Sequence, residues 1–141
     1  MGNSIEIKSD FFKELYTAAK KAREYAYAPY SHFLVGAALL STEGQIFTGC
    51  NVENASYGLT ICAERTAVFK AVSQGCTSFR ALLLVTDCET PASPCGACRQ
   101  VLAEFSLELE VYLCNLEGKM VHTNVDKLLP YTFLFKNAGE E

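Results

Sequence analysis

The sequence lacks long apolar runs and an excess of positive charge, and each lack argues against a class of protein. No stretch approaches the roughly 20 apolar residues that a membrane span requires, so we expect no membrane association. Lysine and arginine number 12 against 16 acidic residues, which gives a net charge of −4. A nucleic-acid binder usually presents a basic face, so we expect no nucleic-acid partner. Linkers and internal repeats are also missing, which favours a single domain over residues 1–141.

The cysteine count is odd, and no secretory signal is recognisable. Seven cysteines do not fit a secreted disulfide framework, which prefers an even number in a smaller chain. No basic and then apolar stretch follows Met1, so we expect no signal peptide. A C-x-x-C pair in such a chain more often serves a metal or redox site. These features predict a cytoplasmic protein with free thiols.

Hydrophobic periodicity predicts one amphipathic helix followed by strands and further helices. The first helix covers residues 10–27 and ends before Pro29, because the residue preceding a proline avoids helical angles. Strands are predicted over 35–40, 45–51, 81–86, 109–114 and 119–123, and helices over 62–73, 95–105 and 125–129. This order predicts an α/β sandwich around a mixed sheet of about five strands.

Three cysteines stand in a pattern that suits a metal ion. Cys62 opens a C-x-E triplet, and Cys95 and Cys98 form a P-C-x-x-C segment. Three thiolates can hold Zn²⁺, and a tetrahedral ion then keeps its fourth position for water. Both segments lie at predicted helix starts, where the helix dipole favours thiolate. The sequence therefore predicts a catalytic zinc site formed by these three cysteines.

Two other interpretations explain less of the pattern. A purely structural zinc site normally has four protein ligands, but His32 and His122 are isolated in the sequence and Cys88 has no partner at a suitable spacing. A thioredoxin-like redox pair at Cys95 and Cys98 would leave the C-x-E triplet without a purpose.

Glu64 and Arg65 follow the first predicted ligand directly. Glu64 cannot easily bind the same ion as Cys62, so its predicted role is general acid–base catalysis on the water and the substrate. Three thiolates around Zn²⁺ leave a net negative charge, which makes the ion a poorer Lewis acid. Arg65 is the candidate donor to sulfur that offsets this charge.

Four stretches of the chain carry a more specific pattern. They are Ala28–Phe33 with Val35–Ala38, Gly49–Ala55, Cys62–Ala67 and Ser93–Gln100. Together they resemble the short, homotetrameric cytidine deaminases over roughly residues 10–135, and they include the signature of zinc nucleobase deaminases. The resemblance implies a three-layer α/β/α sandwich, one Zn²⁺ per subunit and a homotetramer. It also implies a hydrolase of pyrimidine salvage, which converts cytidine or 2′-deoxycytidine to uridine or 2′-deoxyuridine and ammonia.

The resemblance further implies how the nucleoside is held. Phe33 would stack on the pyrimidine ring, although simple core packing also explains an aromatic residue there. Asn51 and Glu53 would bind the ribose, although a capped turn after a strand is the alternative. A lone carboxylate at Glu53 suits a sugar hydroxyl and would repel a phosphate, which favours a nucleoside over a nucleotide.

The remaining matched residues are expected around the base and at a subunit boundary. The resemblance implies that the Ala63 backbone and the Glu64 carboxylate contact the base edge. The carbonyl of Ser93 would face the amino group that leaves. Tyr57 would lie near the subunit interface of the site, and Phe133 would enter the site of a neighbouring subunit.

Three rival functions remain open from the sequence. One is deamination of a different cytosine compound, such as a nucleoside antibiotic. A second is a non-enzymatic zinc scaffold, which would have no physical need for Glu64. The third is a polynucleotide editor, which the acidic composition disfavours because such an enzyme needs cationic surface to hold phosphates.

Overall fold

The computed structural model describes residues 9–135, in which four helices and five strands follow one another along the chain. They are α1 (Ser9–Arg23), β1 (Val35–Ser41), β2 (Ile46–Cys50), α2 (Ala63–Ser73), β3 (Phe79–Thr86), α3 (Gly96–Phe105), β4 (Glu110–Asn115), β5 (Met120–Asn124) and α4 (Val125–Leu128). A 3₁₀ turn at Tyr57–Leu59 precedes α2. Residues 1–8 and 136–141, which the single-domain expectation included, lie outside the described residues.

All five strands form one mixed sheet, in the order β2-β1-β3-β4-β5. The β3–β4 pair is parallel, and the other neighbouring pairs are antiparallel. β3 lies in the middle of the sheet and is buried along nearly its whole length. That position agrees with its continuous apolar sequence, which is typical of a strand covered on both faces.

Helices cover both faces of the sheet. On one face, α1 packs through Leu15 and Ala19 against a buried cluster that includes Ala38, Leu83 and Tyr112. On the other face, α2 and α3 pack through residues such as Val68 and Leu102 against a second cluster, with Leu39, Leu82 and Val111 in the sheet. The predicted three-layer α/β/α sandwich is therefore confirmed.

One glycine of β2 sets how closely α2 approaches the sheet. A Cβ atom at Gly49 would lie 2.5 Å from the carbonyl oxygen of Ala63 and 2.6 Å from the amide nitrogen of Ala67. Only a residue without a Cβ permits this contact between backbones. The first turn of α2 is consequently fixed directly over β2, and this turn carries Glu64.

The first helix is shorter than its sequence pattern predicted. α1 ends at Arg23 rather than near residue 27, and Tyr25 is 71% exposed. Tyr27 instead donates its amide to the carbonyl of Asn51 at 2.9 Å and forms an isolated bridge with Val52. This pairing pulls the chain out of the helix before Pro29 is reached. None of the helices in residues 9–135 is long and apolar enough to cross a membrane.

Candidate active site

Two cysteines occupy the N-cap positions of the helices that the sequence predicted around them. Cys62 is the N-cap residue of α2 and Cys95 that of α3, and both have extended backbone angles. Neither side chain caps its own helix, so both sulfur atoms are available to another partner. Cys98 follows in the first turn of α3 and is fully buried.

The three sulfur atoms of Cys62, Cys95 and Cys98 lie within 4.8 Å of one another. The Sγ atoms of Cys62 and Cys95 are 3.8 Å apart. Two ligands of a tetrahedral zinc ion with bonds of about 2.3 Å would be separated by about 3.8 Å. A disulfide would need about 2.05 Å, and all three cysteines are free. The donor set and its spacing thus fit zinc.

The thiols of Cys62 and Cys98 differ in how readily they lose a proton. A hydrogen bond from Cys98 and the nearby Arg65 guanidinium lower the pKa of Cys62 to about 5. The pKa of Cys98 is raised well above its usual range by its hydrogen bond to Cys62 and by burial. The surroundings therefore favour the thiolate form at Cys62 over that at Cys98, and a metal ion must displace the Cys98 proton to bind all three sulfurs.

Arg65 lies beside this cluster. Its Nη2 atom is 3.5 Å from the Sγ atom of Cys62, and this hydrogen bond raises the pKa of the guanidinium further above its usual value. Its Nε atom is buried and has no hydrogen-bond partner among the described residues. A permanent cation that is partly withdrawn from water next to sulfur fits a site that holds several thiolates.

A cavity of about 220 Å³ opens beside the sulfur atoms. Its wall contains five of the residues that the sequence placed around the substrate or the water, together with two of the predicted metal ligands: Phe33, Asn51, Ala63, Glu64, Ser93, Cys62 and Cys95. Glu64 is only 5% exposed, and burial raises the pKa of its carboxyl to about 7. Two of the predicted metal ligands and the predicted proton-transfer group thus line one cavity.

Sequence reasoning missed the rest of this wall. Thr60, Thr86 and Ala92 also line the cavity, with Val35 and Leu84. Thr86 accepts a hydrogen bond from the amide of Ala92 at 3.4 Å, which holds the loop after β3 over the cavity. Val35 belongs to one of the matched stretches, which assigned it no role in the site. No motif contains Thr60, Leu84, Thr86 or Ala92, and only the fold brings these residues next to the cysteines.

Glu53 and Tyr57 line a neighbouring cavity of about 390 Å³ instead. Thr60 lines both cavities, so they adjoin each other. The Glu53 carboxylate accepts hydrogen bonds from the amides of Tyr30 at 2.9 Å and Ser31 at 3.1 Å, and from the Ser31 hydroxyl. These contacts, led by the Ser31 hydroxyl, lower the pKa of Glu53. They also hold the Glu53 carboxylate group in one orientation.

Asn51 connects the cavity wall to the segment that carries Phe33. Its Oδ1 atom accepts the amide of Val35 at 2.9 Å, and its Nδ2 atom donates to the carbonyl of Phe33 at 2.7 Å. The amide nitrogen carries two hydrogens, and these contacts use one of them. Asn51 therefore braces the Phe33 segment while keeping a donor for a further partner.

The structure does not bring Phe133 to the cavity of its own chain. Its side chain is 70% exposed, and its carbonyl accepts a hydrogen bond from Gln100 at 3.1 Å. The ring lies 6.4 Å from that of Phe135, which is also exposed. A role for Phe133 in catalysis consequently requires a second subunit.

Comparison with known proteins agrees with this geometry. The family described as the cytidine and deoxycytidylate deaminase zinc-binding region matches residues 10–114. The chain belongs to this family. The matched residues include the three clustered cysteines, Glu64 and Arg65.

Individual relatives cover most of the chain. Proteins named cytidine deaminase from Sporosarcina psychrophila and Halalkalibacterium halodurans are 59% and 53% identical to it over 122 and 123 residues. Each match covers 86% of this chain, and 90% and 93% of the two relatives. The crystal structure of cytidine deaminase from Burkholderia pseudomallei superposes with a TM-score of 0.84 at 52% identity, over 86% of this chain and 98% of that chain.

Proposed function

We propose that this protein hydrolyses cytidine and 2′-deoxycytidine to uridine and 2′-deoxyuridine, with release of ammonia. The observation that carries the proposal is the cavity in which Glu64 lies beside Cys62 and Cys95. Membership of the deaminase family and relatives named cytidine deaminase support the reaction and the substrate class.

One Zn²⁺ per chain would be held by Cys62, Cys95 and Cys98. The ion, when bound, activates a water molecule for attack on the ring carbon that carries the amino group. Arg65 offsets the negative charge of the three thiolates through its hydrogen bond to Cys62. Without such a cation, the sulfur charge would weaken the activation of water.

Glu64 is the proposed general base and acid. Its carboxylate takes a proton from the attacking water and delivers it to the ring nitrogen beside the attacked carbon. It then takes the remaining proton from the hydroxyl group added to that carbon and gives it to the leaving amine, so that the C–N bond breaks, ammonia departs and the product carbonyl forms. A pKa of about 7 in the buried site suits a group that must both accept and donate protons near neutral pH. The Ala63 backbone is proposed to contact the edge of the pyrimidine base. The Ser93 carbonyl is proposed to face the amino group that leaves.

The nucleoside would extend from the first cavity into its neighbour. Phe33 is proposed to stack on the pyrimidine, and Asn51 and Glu53 to hydrogen-bond the ribose. The ionised Glu53 carboxylate is held in place by Ser31 and would repel a 5′-phosphate. A nucleoside is therefore preferred over a nucleotide, and the net charge of −4 is unfavourable for a polynucleotide.

The protein is proposed to work as a homotetramer with shared active sites. Several aromatic side chains near the end of the described chain are exposed, with 104% exposure at Tyr131, 70% at Phe133 and 76% at Phe135. Clustered exposed apolar surface tends to mark an interface. Tyr57, which is 76% exposed at the outer cavity, is proposed to lie near the same interface, and Phe133 to reach a neighbouring site.

We propose a cytoplasmic location for the protein. The seven cysteines are all unpaired, and a thiolate metal site suits a reducing compartment. The chain is proposed to fold as one domain, since a single sheet serves both hydrophobic clusters. The reaction would serve pyrimidine salvage.

A substrate panel tests the function. The ultraviolet absorbance change of cytidine, 2′-deoxycytidine, deoxycytidylate, adenosine and a cytosine nucleoside antibiotic is followed with the natively purified protein. We expect rapid turnover of the first two and at least about 100-fold lower kcat/KM for deoxycytidylate, which corresponds to about 2.7 kcal/mol of discrimination. Faster turnover of the antibiotic than of cytidine would contradict the proposal, as would turnover of adenosine alone.

A further inference from the structure

We propose that Arg99 is a positioning residue for the deamination, and that its guanidinium fixes the Ser93–Pro94 segment against the amino group that the substrate loses. This inference rests on the proposed function. Arg99 follows the buried Cys98 in α3 and is itself half-buried. It lines neither cavity of the site, so it acts through its neighbours rather than on the substrate.

Three nitrogen atoms of the guanidinium each donate a hydrogen bond. Nε donates to the carbonyl of Pro94 at 2.8 Å, and Nη2 donates to the hydroxyl of Ser93 at 2.8 Å. Nη1 donates to the carbonyl of Leu128 at 2.7 Å. Nε and Nη2 form one edge of the planar fork, so that edge clamps two consecutive residues of the loop between β3 and α3 (the cavity loop).

The clamped segment is stiff enough to transmit this restraint. Pro94 is buried, and its ring fixes one backbone angle. The residue before a proline is restricted to extended angles as well, which limits Ser93. Holding the Ser93 hydroxyl and the Pro94 carbonyl therefore also holds the Ser93 carbonyl between them, and Ser93 lines the catalytic cavity.

The bond to Leu128 anchors the clamp from the far side. Leu128 is the last residue of α4, and carbonyl groups at a helix end have no partner within the helix. Arg99 thus connects the cavity loop to α4, which packs on the same face of the sheet as α3. Arg80 offers a contrast, because it is exposed and its guanidinium carbon lies 5.6 Å from the centroid of the Phe11 ring.

Cys95 follows Pro94 directly in the chain. Loss of Arg99 can therefore impair either zinc binding or the contact between the Ser93 carbonyl and the leaving amino group. Measurements on different ligands separate the two effects. On the proposed function, the Ser93 carbonyl would accept a hydrogen bond from the amino group of cytidine, whereas uridine has no amino group to donate. A displaced Ser93 carbonyl should therefore lower kcat for cytidine and leave the inhibition constant of uridine unchanged. A general collapse of the site would weaken uridine binding too.

The test compares Arg99→Ala, Arg99→Lys and Ser93→Ala with the wild type and with Arg80→Ala as the matched control. Zinc content, kcat for cytidine and the inhibition constant of uridine are measured for each. We expect full zinc, a uridine constant within twofold of wild type, and a kcat about 100-fold lower for Arg99→Ala, because small misplacements near the chemistry cost about that much. Ser93→Ala should lose less, because it removes one bond of the clamp.

Chemical rescue adds a second measurement, in which no recovery is expected if the role of Arg99 is merely structural. Added ethylguanidinium should restore part of the kcat of Arg99→Ala, while Arg99→Lys should stay impaired because an ammonium group cannot form the two-bond edge. Unchanged kcat in both Arg99 variants, or zinc loss that matches the loss of activity in all three variants, would overturn the inference. If Arg99→Ala does not fold, Arg99→Lys and Ser93→Ala decide by the same criteria. A wild-type protein that does not deaminate cytidine would instead refute the proposed function.

Discussion

The sulfur atoms of Cys62 and Cys95 lie 3.8 Å apart although the two residues are 33 positions apart in the chain. Each residue caps a different helix on the same face of the sheet. The partial positive charges of two helix N-termini consequently meet at one point, which favours the thiolate form of cysteine. This convergence places Cys62 and Cys95, two of the candidate zinc ligands, at the edge of a cavity rather than inside the core.

Replacing Glu64 with glutamine tests its role in proton transfer. The amide has nearly the same shape but cannot accept the proton of the water, so Glu64→Gln should retain its fold and zinc while kcat falls by about 10²–10⁴-fold or more. Activity is measured with cytidine, and zinc by elemental analysis. Glu104→Gln, a change at an exposed position of α3, serves as the control and should leave kcat unchanged. A Glu64→Gln rate within tenfold of wild type would remove Glu64 from the mechanism.

The charge of Arg65 should matter for the metal. Arg65→Ala removes the donor to Cys62 and should weaken zinc affinity or turnover about 10–100-fold. Arg65→Gln keeps a hydrogen-bond donor without the charge, so its effect should be milder. Zinc retention against a competing chelator measures both variants. If both retain zinc and turn over cytidine like the wild type, Arg65 has no part in the site.

The close contact between β2 and α2 should be sensitive to one methyl group. Gly49→Ala would force a Cβ atom against backbone atoms of Ala63 and Ala67, and overpacking of this kind typically costs about 1–3 kcal/mol. Urea unfolding at fixed zinc concentration measures the loss as a lower midpoint. Gly58→Ala is the matched control, since a Cβ atom there meets nothing within 4 Å. Equal midpoints for the two variants would show that this contact does not fix α2.

The order of predicted elements indicated an α/β sandwich around about five strands, and the resemblance implied its three layers. The boundaries of the later elements lie within two residues of those observed. Strong periodicity and the turns around residues 44 and 118 explain this success. The end of α1 was missed because the bridge between Tyr27 and Val52 overrides the helical pattern. Such pairing between distant parts of the chain leaves no local signal.

The candidate site was predictable only where its residues belong to short sequence motifs. The spacing of the cysteines predicted their cluster, which the structure forms. The three hydrogen bonds of Arg99 were not predictable, because its partners include Leu128, 29 positions away. The bracing of the Phe33 segment by Asn51 was missed for the same reason, since the two residues are 18 positions apart.

Mixing two inactive variants tests whether active sites are shared between subunits. Phe133→Ala chains keep Glu64, and Glu64→Gln chains keep Phe133, so mixed tetramers can pair an intact copy of each. We expect both variants to be impaired alone and activity to reappear after verified subunit exchange. An active monomer by light scattering, or no recovery in mixed tetramers, would count against shared sites.

The most direct test of the central claim measures cytidine deamination and bound zinc together, before and after metal removal. The natively purified protein should carry one zinc per chain and convert cytidine to uridine. Strong chelation should abolish both, and stoichiometric zinc should restore the rate, because the three sulfur ligands leave one position for the water. Full activity in protein shown to be free of metal would contradict the account.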